Sequence, residues 1–392
     1  MFNRKDLPLT QVLLIGALML IEFSRGALII SLLPAFITGP LGASITIVGW
    51  AISSHYFLDT VFRGPFGWLV DRIGPLRVMT IGIAIEIISL VCIMHTTQPD
   101  LVIVYVGILG IGTATHWPAI MTATNRLTPA NQRASVMGFV FAAWLVGSGV
   151  GPVLINFLLG GRDRAAFASL IAANIAAFLI TLFVSDDRLE QPSPKSHVKV
   201  RWFPTLWKFR WVLPGMFVQN LTLGIMMPVI HQYTGKVLHF NYWQFAAFLL
   251  GSGALTVFLL VPIGKMTDKW GTKNPLILGF MLAAVSLTGI AFIHNFWLLI
   301  GVGGALGLSY ALILPSWNTF LAGLIPADIE GWLWGMFMTV EGLGMSVGPI
   351  IGARLFSYRP GLPFLLSAGI LLVMGIFYWT FPFSKYLPQA PR

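Results

Sequence analysis

The chain is 392 residues long, 56% hydrophobic and only 10% charged, with a mean hydropathy of +0.82. A soluble domain carries about 25% charged residues to solvate its surface, so this composition excludes a soluble enzyme and a disordered chain and points to a polytopic membrane protein. The formal charge of +10 raises nucleic acid as a partner, until the placement of the charges is examined. Apolar runs long enough to cross a bilayer as helices fall at about 9–37, 45–70, 76–96, 100–124, 133–159, 165–185, 211–235, 242–264, 274–294, 297–321, 331–356 and 361–382. The ten-residue alternation of a transmembrane β-barrel is absent. The expected fold is all-α, twelve transmembrane helices in two six-helix bundles: 1–185, a polar linker at 186–210, and 211–392.

The chain opens with Arg4 and Lys5 before an apolar stretch, as a signal peptide does. That stretch runs from about Leu9 to Ile37, too long for a cleaved segment, and is expected to stay as the first span. It carries Glu22 about thirteen residues in, and the second span carries Asp59 about as deep. At 1.5 Å per residue both lie near the bilayer midplane. A charge there costs at least about 2.5–3.5 kcal/mol, so it faces a partner or a water-filled cavity. Arg25 shares a face with Glu22 at i+3, and His55 and Arg63 flank Asp59 at i−4 and i+4. Glu22, Arg25 and Asp59 therefore form the expected proton-coupling pocket. The simpler alternative is a fixed Glu22–Arg25 pair that only sets helix register.

Between the second and third spans stands Gly67-Trp-Leu-Val-Asp71-Arg72-Ile-Gly74. Its glycines suit a tight turn and close helix approach, and Asp71 is placed to cap a neighbouring helix N-terminus. The third span holds Glu86, a candidate polar contact or functional carboxyl, and Cys92, the one cysteine, which excludes an intrachain disulfide. The fourth holds His116, Trp117, Pro118 and Asn125; the fifth holds Trp144 and Gly147-x-x-x-Gly151-Pro152.

The second half repeats these landmarks at one ungapped offset of 197: Gly264-Lys-Met-Thr-Asp268-Lys269-Trp-Gly271, Gly344-x-x-x-Gly348-Pro349, and Pro315, Pro326 and Gly335 opposite Pro118, Pro129 and Gly138. Such a tandem of six-span units is the arrangement of the halves of a secondary transporter. The tenth span adds Trp317 and Asn318, and Glu341 and His231 are the polar exceptions in an otherwise apolar half. Assigning loops alternately to the two sides puts 17 Lys and Arg on one side and 5 on the other, which orients both termini to the cytoplasm. Topology thus accounts for the positive charge without nucleic acid.

The Gly67–Gly74 segment resembles the loop signature of the major facilitator superfamily, and the two Gly-Pro segments resemble the signature of its antiporters, with helix packing as the alternative. A narrower set resembles the LtaA-type flippases: Ile-Glu-Phe-Ser-Arg-Gly at 21–26, Asp59, His116-Trp117-Pro118, the stretch around Trp144, and Leu-Pro-Ser-Trp-Asn-Thr-Phe at 314–320. Glu341 and the Gly160-Gly161-Arg162 end of the fifth span depart from that pattern. The resemblance implies proton-driven movement of diglucosyl-diacylglycerol, the lipoteichoic acid anchor, from the cytoplasmic to the outer leaflet of a bacterial plasma membrane.

An amphiphile with a sugar head and acyl tails needs a cavity that is polar on one side and apolar on the other. Glu22, Arg25, Asp59, His116, Trp117, Asn125, Trp144, Trp317 and Asn318 are the expected headgroup contacts, the indoles combining a stacking face with one donor. Gly67, Asp71, Arg72, Gly74, Asp268 and Lys269 are the expected gating residues. The partners are glycolipid, protons and membrane lipids, and the proton gradient replaces a cofactor. A proton-coupled exporter of lipophilic drugs shares the fold and is the alternative. The sequence has no phosphate-binding Gly-rich loop and no ligand-spaced histidine pair, which argues against ATP hydrolysis, a metal site and an enzyme.

Overall fold

The computed structural model describes residues 9–129, 132–184, 189, 207, 209–325 and 330–381. Most of the expected linker 186–210 lies outside them, and of Asp268 only the backbone is described. Twelve helices span the described residues: α1 (Leu9–Thr38), α2 (Ile45–Ile73), α3 (Pro75–His95), α4 (Pro99–Leu127), α5 (Arg133–Ile155), α6 (Asp163–Phe183), α7 (Leu213–Lys236), α8 (Tyr242–Trp270), α9 (Lys273–Phe292), α10 (Phe296–Leu324), α11 (Glu330–Tyr358) and α12 (Leu362–Thr380). There is no strand among the described residues. Eleven of the helices are long and apolar enough to cross a membrane. The remaining one, α2, carries His55, Asp59 and Arg63 and packs among the others.

Two helices are irregular where a proline withholds its N–H from the carbonyl four residues earlier. α1 widens into a π turn at Leu28–Leu32 just before Pro34. α4 breaks at Ala114–Thr115, ahead of Pro118, and restarts at His116. Pro315, the repeat counterpart of Pro118, leaves α10 unbroken. α5 ends at Ile155, four residues short of the expected 159, and turns through the positive-φ pair Gly160 and Gly161.

The halves share a packing plan, and the glycines show it. In hydrocarbon, helices associate where small residues let backbones approach. A Cβ on Gly110 would lie 2.3 Å from the His55 carbonyl oxygen, and one on Gly307 would lie 2.0 Å from that of Ser252. These are the same α2–α4 and α8–α10 contact, repeated at offset 197. Gly82 against the Gly112 carbonyl and Gly279 against that of Ser309 repeat the α3–α4 and α9–α10 contact. In the Gly-Pro segments, Gly151 meets the Phe23 carbonyl and Gly348 that of Leu221, so both segments pack α5 on α1 and α11 on α7. Both helices continue past their prolines.

Candidate functional site: the cavity between the two halves

The halves are joined at one end. Gln232 Nε2 on α7 donates to Thr38 Oγ1 at 2.7 Å and to the Pro34 carbonyl at 3.1 Å, both on α1. Phe157, just past α5, meets Trp243 of α8 with ring centroids 6.0 Å apart, and Gly160 lies against Tyr242. α2 and α11 are in backbone-close contact along their length: Gly49 against Pro349 and Ala353 near the joined end, and Gly342 against Thr60 farther along. The other end carries the repeated Gly67–Gly74 and Gly264–Gly271 turns. Direct contacts between the halves thus gather at the α1–α7 and α5–α8 end and along α2–α11.

The mid-span charged side chains lie mostly in the first half. Arg25 Nε donates to Glu22 Oε2 at 2.9 Å, and Arg25 Nη2 also pairs with that oxygen. Glu22 is 1% exposed, whereas the Arg25 side chain is 15% exposed. Arg25 Nη1 reaches the Tyr56 hydroxyl at 3.4 Å, and that hydroxyl meets Met227 Sδ of α7 at 3.4 Å, a chain that crosses between the halves. Arg63 Nη2 donates to Asp59 Oδ2 at 2.6 Å. Each expected carboxylate is therefore held by an arginine of its own helix, at the i+3 and i+4 positions. The second pair lies within electrostatic range of Glu22, so the three expected coupling residues and Arg63 form one cluster.

The break in α4 brings two of the candidate residues, Glu86 and His116, together beside this cluster. It turns His116 inward, fully buried, with Nε2 3.7 Å from Glu86 Oε1 on α3. Thr113 Oγ1 donates to the same Glu86 oxygen at 2.7 Å. His116 thus faces Glu86 inside the bundle and offers no headgroup contact, contrary to the expectation. The signal was in the sequence: Gly110, Gly112 and Pro118 around a polar Thr115-His116 mark a helix that cannot run straight.

Trp117 and Trp144 meet with ring centroids 6.2 Å apart, and Trp117 also packs on Phe141 at 5.5 Å. Both indoles are half-buried, a paired aromatic surface on α4 and α5. Asn125 and Asn318 are exposed toward the C-terminal ends of α4 and α10. Trp317 is placed differently from the expectation: it is 2% exposed and packs on Phe320 and Tyr378, a part of the second half's core. Glu341 on α11 lies beside Trp317 and within electrostatic range of Arg63 across the interface.

In the repeated turns, Gly74 has φ 90° and Gly271 has φ 84°, which is why glycine occupies both. Asp71 does not cap α3; the N-cap is Gly74, without a side-chain bond, and Asp71 and Arg72 are exposed. Arg72 instead lies over the Trp68 ring at 3.9 Å. Lys269 is exposed in the second turn. Among the described residues no group of His, Cys, Asp and Glu could hold a metal ion.

The model of the Major Facilitator Superfamily matches residues 14–261 and again 212–391, so the two matches together cover almost all of the chain. The chain belongs to the major facilitator superfamily. It is a multi-pass membrane transporter and not an enzyme. Among curated proteins it is similar to the "Proton-coupled antiporter flippase LtaA" of Staphylococcus haemolyticus, at 28% identity over 96% of this chain and 94% of that one. It is also similar to the proteins of that name from Staphylococcus epidermidis and Staphylococcus aureus, each at 26% identity over 94% of this chain and 93% or 94% of theirs. Among solved structures, the nucleoside transporter NupG superposes with a TM-score of 0.78 at 16% identity, over 97% of this chain and 100% of that one. A D-xylose-proton symporter does so with 0.73 at 16%, over 97% and 98%. These superpositions show the superfamily fold alone.

Proposed function

We propose that this transporter is a proton-coupled flippase that moves a lipid-linked disaccharide, of the diglucosyl-diacylglycerol kind, from the cytoplasmic to the outer leaflet of a bacterial plasma membrane. The observation that carries the reading is the unequal division of polar groups between the halves. Two arginine–carboxylate pairs, Glu22–Arg25 and Asp59–Arg63, and the Trp117–Trp144 surface lie in the first half. Glu341 is the one charged residue at mid-span in the second half. A sugar head fits the first surface and acyl chains the second, and the near full-length similarity to flippases named LtaA supports the same substrate class.

In this scheme the end with the repeated turns faces the cytoplasm, as the excess of Lys and Arg on that side favours. Arg25 and Arg63 donate to headgroup hydroxyls once their carboxylates are protonated, so proton and substrate compete for the same guanidinium groups. That competition is what an antiporter requires: differential affinity of the two access states for each ligand. Trp117 and Trp144 stack on the sugar, and Asn125 and Asn318 contribute hydrogen bonds near the mouth. Gly67, Asp71, Arg72, Gly74, Asp268 and Lys269 form the turns that move as the cytoplasmic end closes. The gradient supplies the energy without a cofactor.

The test uses proteoliposomes with a fluorescent diglucosyl-diacylglycerol analogue, with and without an imposed pH gradient, reading the fraction reached by an impermeant quencher. Flipping that rises with the gradient and fails in Asp59→Asn and Glu22→Gln, both still monodisperse, is the expected result. Normal flipping in both variants refutes the coupling assignment. No flipping above empty liposomes refutes the substrate and moves the reading to export of lipophilic compounds.

A further inference from the structure

We propose that Glu86 is a third proton-carrying carboxyl, joined to the Glu22–Arg25 pair through a water-sized void between them. The proposal deepens the transport reading above and rests on its proton coupling. Glu86 stands at the middle of α3 and is 3% exposed. Glu22 and Asp59 each accept directly from an arginine, whereas Glu86 accepts only from the neutral Thr113 hydroxyl. His116 Nε2 lies beyond hydrogen-bond distance at 3.7 Å, and neither ring nitrogen of His116 has a partner. A carboxylate buried in a span without Arg or Lys in contact is costly, and taking up a proton removes that cost.

The route to it is also present. A void lined on its polar side by Ser24, Arg25, Glu86 and Asn174 connects the arginine of the first pair with Glu86. A buried water needs two to four polar partners, and this lining supplies them. Asn174 Nδ2 is already committed to Ser24 Oγ at 2.7 Å, which leaves Asn174 Oδ1 without a partner beside the void. The proton step is simple. A hydronium ion in the cavity passes its proton through this water to a Glu86 oxygen, an O–H bond forms there, and water is returned to the cavity. The same bond breaks when the site opens to the other side.

The groups facing Glu86 from its neighbours set how its charge is felt. α1 brings Glu22 and Arg25; α2 brings Asp59, with Arg63 behind it, and His55 within range of His116; α4 brings His116 and the Thr113 hydroxyl; α6 brings the amide of Asn174. A proton on Glu86 therefore removes a negative charge next to both coupling carboxylates. This gives α3, a helix outside the pair contacts that join the halves, a part in coupling.

The experiment is infrared difference spectroscopy of the full-length protein in lipid vesicles, between acidic and neutral buffer, with no substrate. In the wild type a carbonyl band of a protonated buried carboxyl is expected that vanishes in Glu86→Gln. The same band is expected to persist but shift in Thr113→Val, which removes the hydroxyl donor and keeps the carboxyl. An unchanged band pattern in Glu86→Gln overturns the proposal, and so does an unshifted band in Thr113→Val. In the proteoliposome assay, Glu86→Gln is expected to lower the protons moved per lipid and flatten the pH profile; an unchanged proton-to-lipid ratio also overturns it. If the wild type moves no glycolipid, the substrate reading fails while the infrared result still decides Glu86.

Discussion

Replacing Gln232 with Leu isolates the bonds that join the halves at one end. The amide nitrogen makes two hydrogen bonds from α7 to α1, at 2.7 Å to Thr38 Oγ1 and 3.1 Å to the Pro34 carbonyl. Leu has nearly the same volume, so packing changes little. Nor does the substitution strand the acceptors, because Thr38 Oγ1 keeps its own bond to the Pro34 carbonyl at 2.8 Å. What is lost is the cross-half attraction alone. A net hydrogen bond is worth about 0.5–1.5 kcal/mol, and cycles in membrane helices average about 0.6. Two bonds give about 1–3 kcal/mol, which shifts the ratio of closed to open at this end by about 5- to 150-fold. The assay is a spin-label distance measurement between Ser44→Cys and Lys236→Cys, both exposed at that end, on a Cys92→Ala background. A second, longer distance population is expected in Gln232→Leu. A distribution identical to that of the parent would refute the argument that these bonds hold the end shut.

Gly110→Ala and Gly307→Ala are each expected to cost about 1–3 kcal/mol through overpacking, because the new Cβ meets a carbonyl oxygen at 2.3 Å or 2.0 Å. Gly16→Ala, with nothing within 4 Å, is expected to raise the midpoint slightly, and thermal unfolding in one detergent compares all three. Gly74→Ala and Gly271→Ala force a residue with a Cβ into positive φ with extended ψ, at about 1–3 kcal/mol each, and lower the same midpoint. Trp144→Ala is expected to raise KM for the glycolipid with the fold intact. Trp317→Ala lowers thermal stability by about 3–5 kcal/mol as a core truncation, and the reverse pattern would overturn the placement of the two indoles.

Much of this protein can be read along the chain because the bilayer leaves so few choices. Backbone polar groups in hydrocarbon must be satisfied within each segment, so an apolar run of sufficient length becomes a helix whatever surrounds it. That made the twelve spans legible, and the 197-residue offset made the two halves legible with them. Glu22, Arg25, Asp59 and Arg63 stood out by the same logic, since i+3 and i+4 spacing on a helix already brings each carboxylate to its arginine.

Tertiary packing decided the rest. Asp71 was expected to cap a helix, but the turn is made by the backbone of Gly74. Trp117, Trp144 and Trp317 are alike in sequence terms, and only the neighbours of each separate two half-buried indoles from a core one. Glu86 lies in α3, which packs on α4 and α6 and makes no large contact with the second half. The sequence named it as a candidate carboxyl, but its partners, Thr113 and His116, became visible only because α4 breaks before Pro118. The equivalent Pro315 in α10 leaves the helix straight, so the proline alone did not settle the outcome. Local chemistry along one helix follows from sequence spacing; which residues meet across helices depends on breaks, tilts and small-residue contacts that are fixed only when all twelve helices pack together.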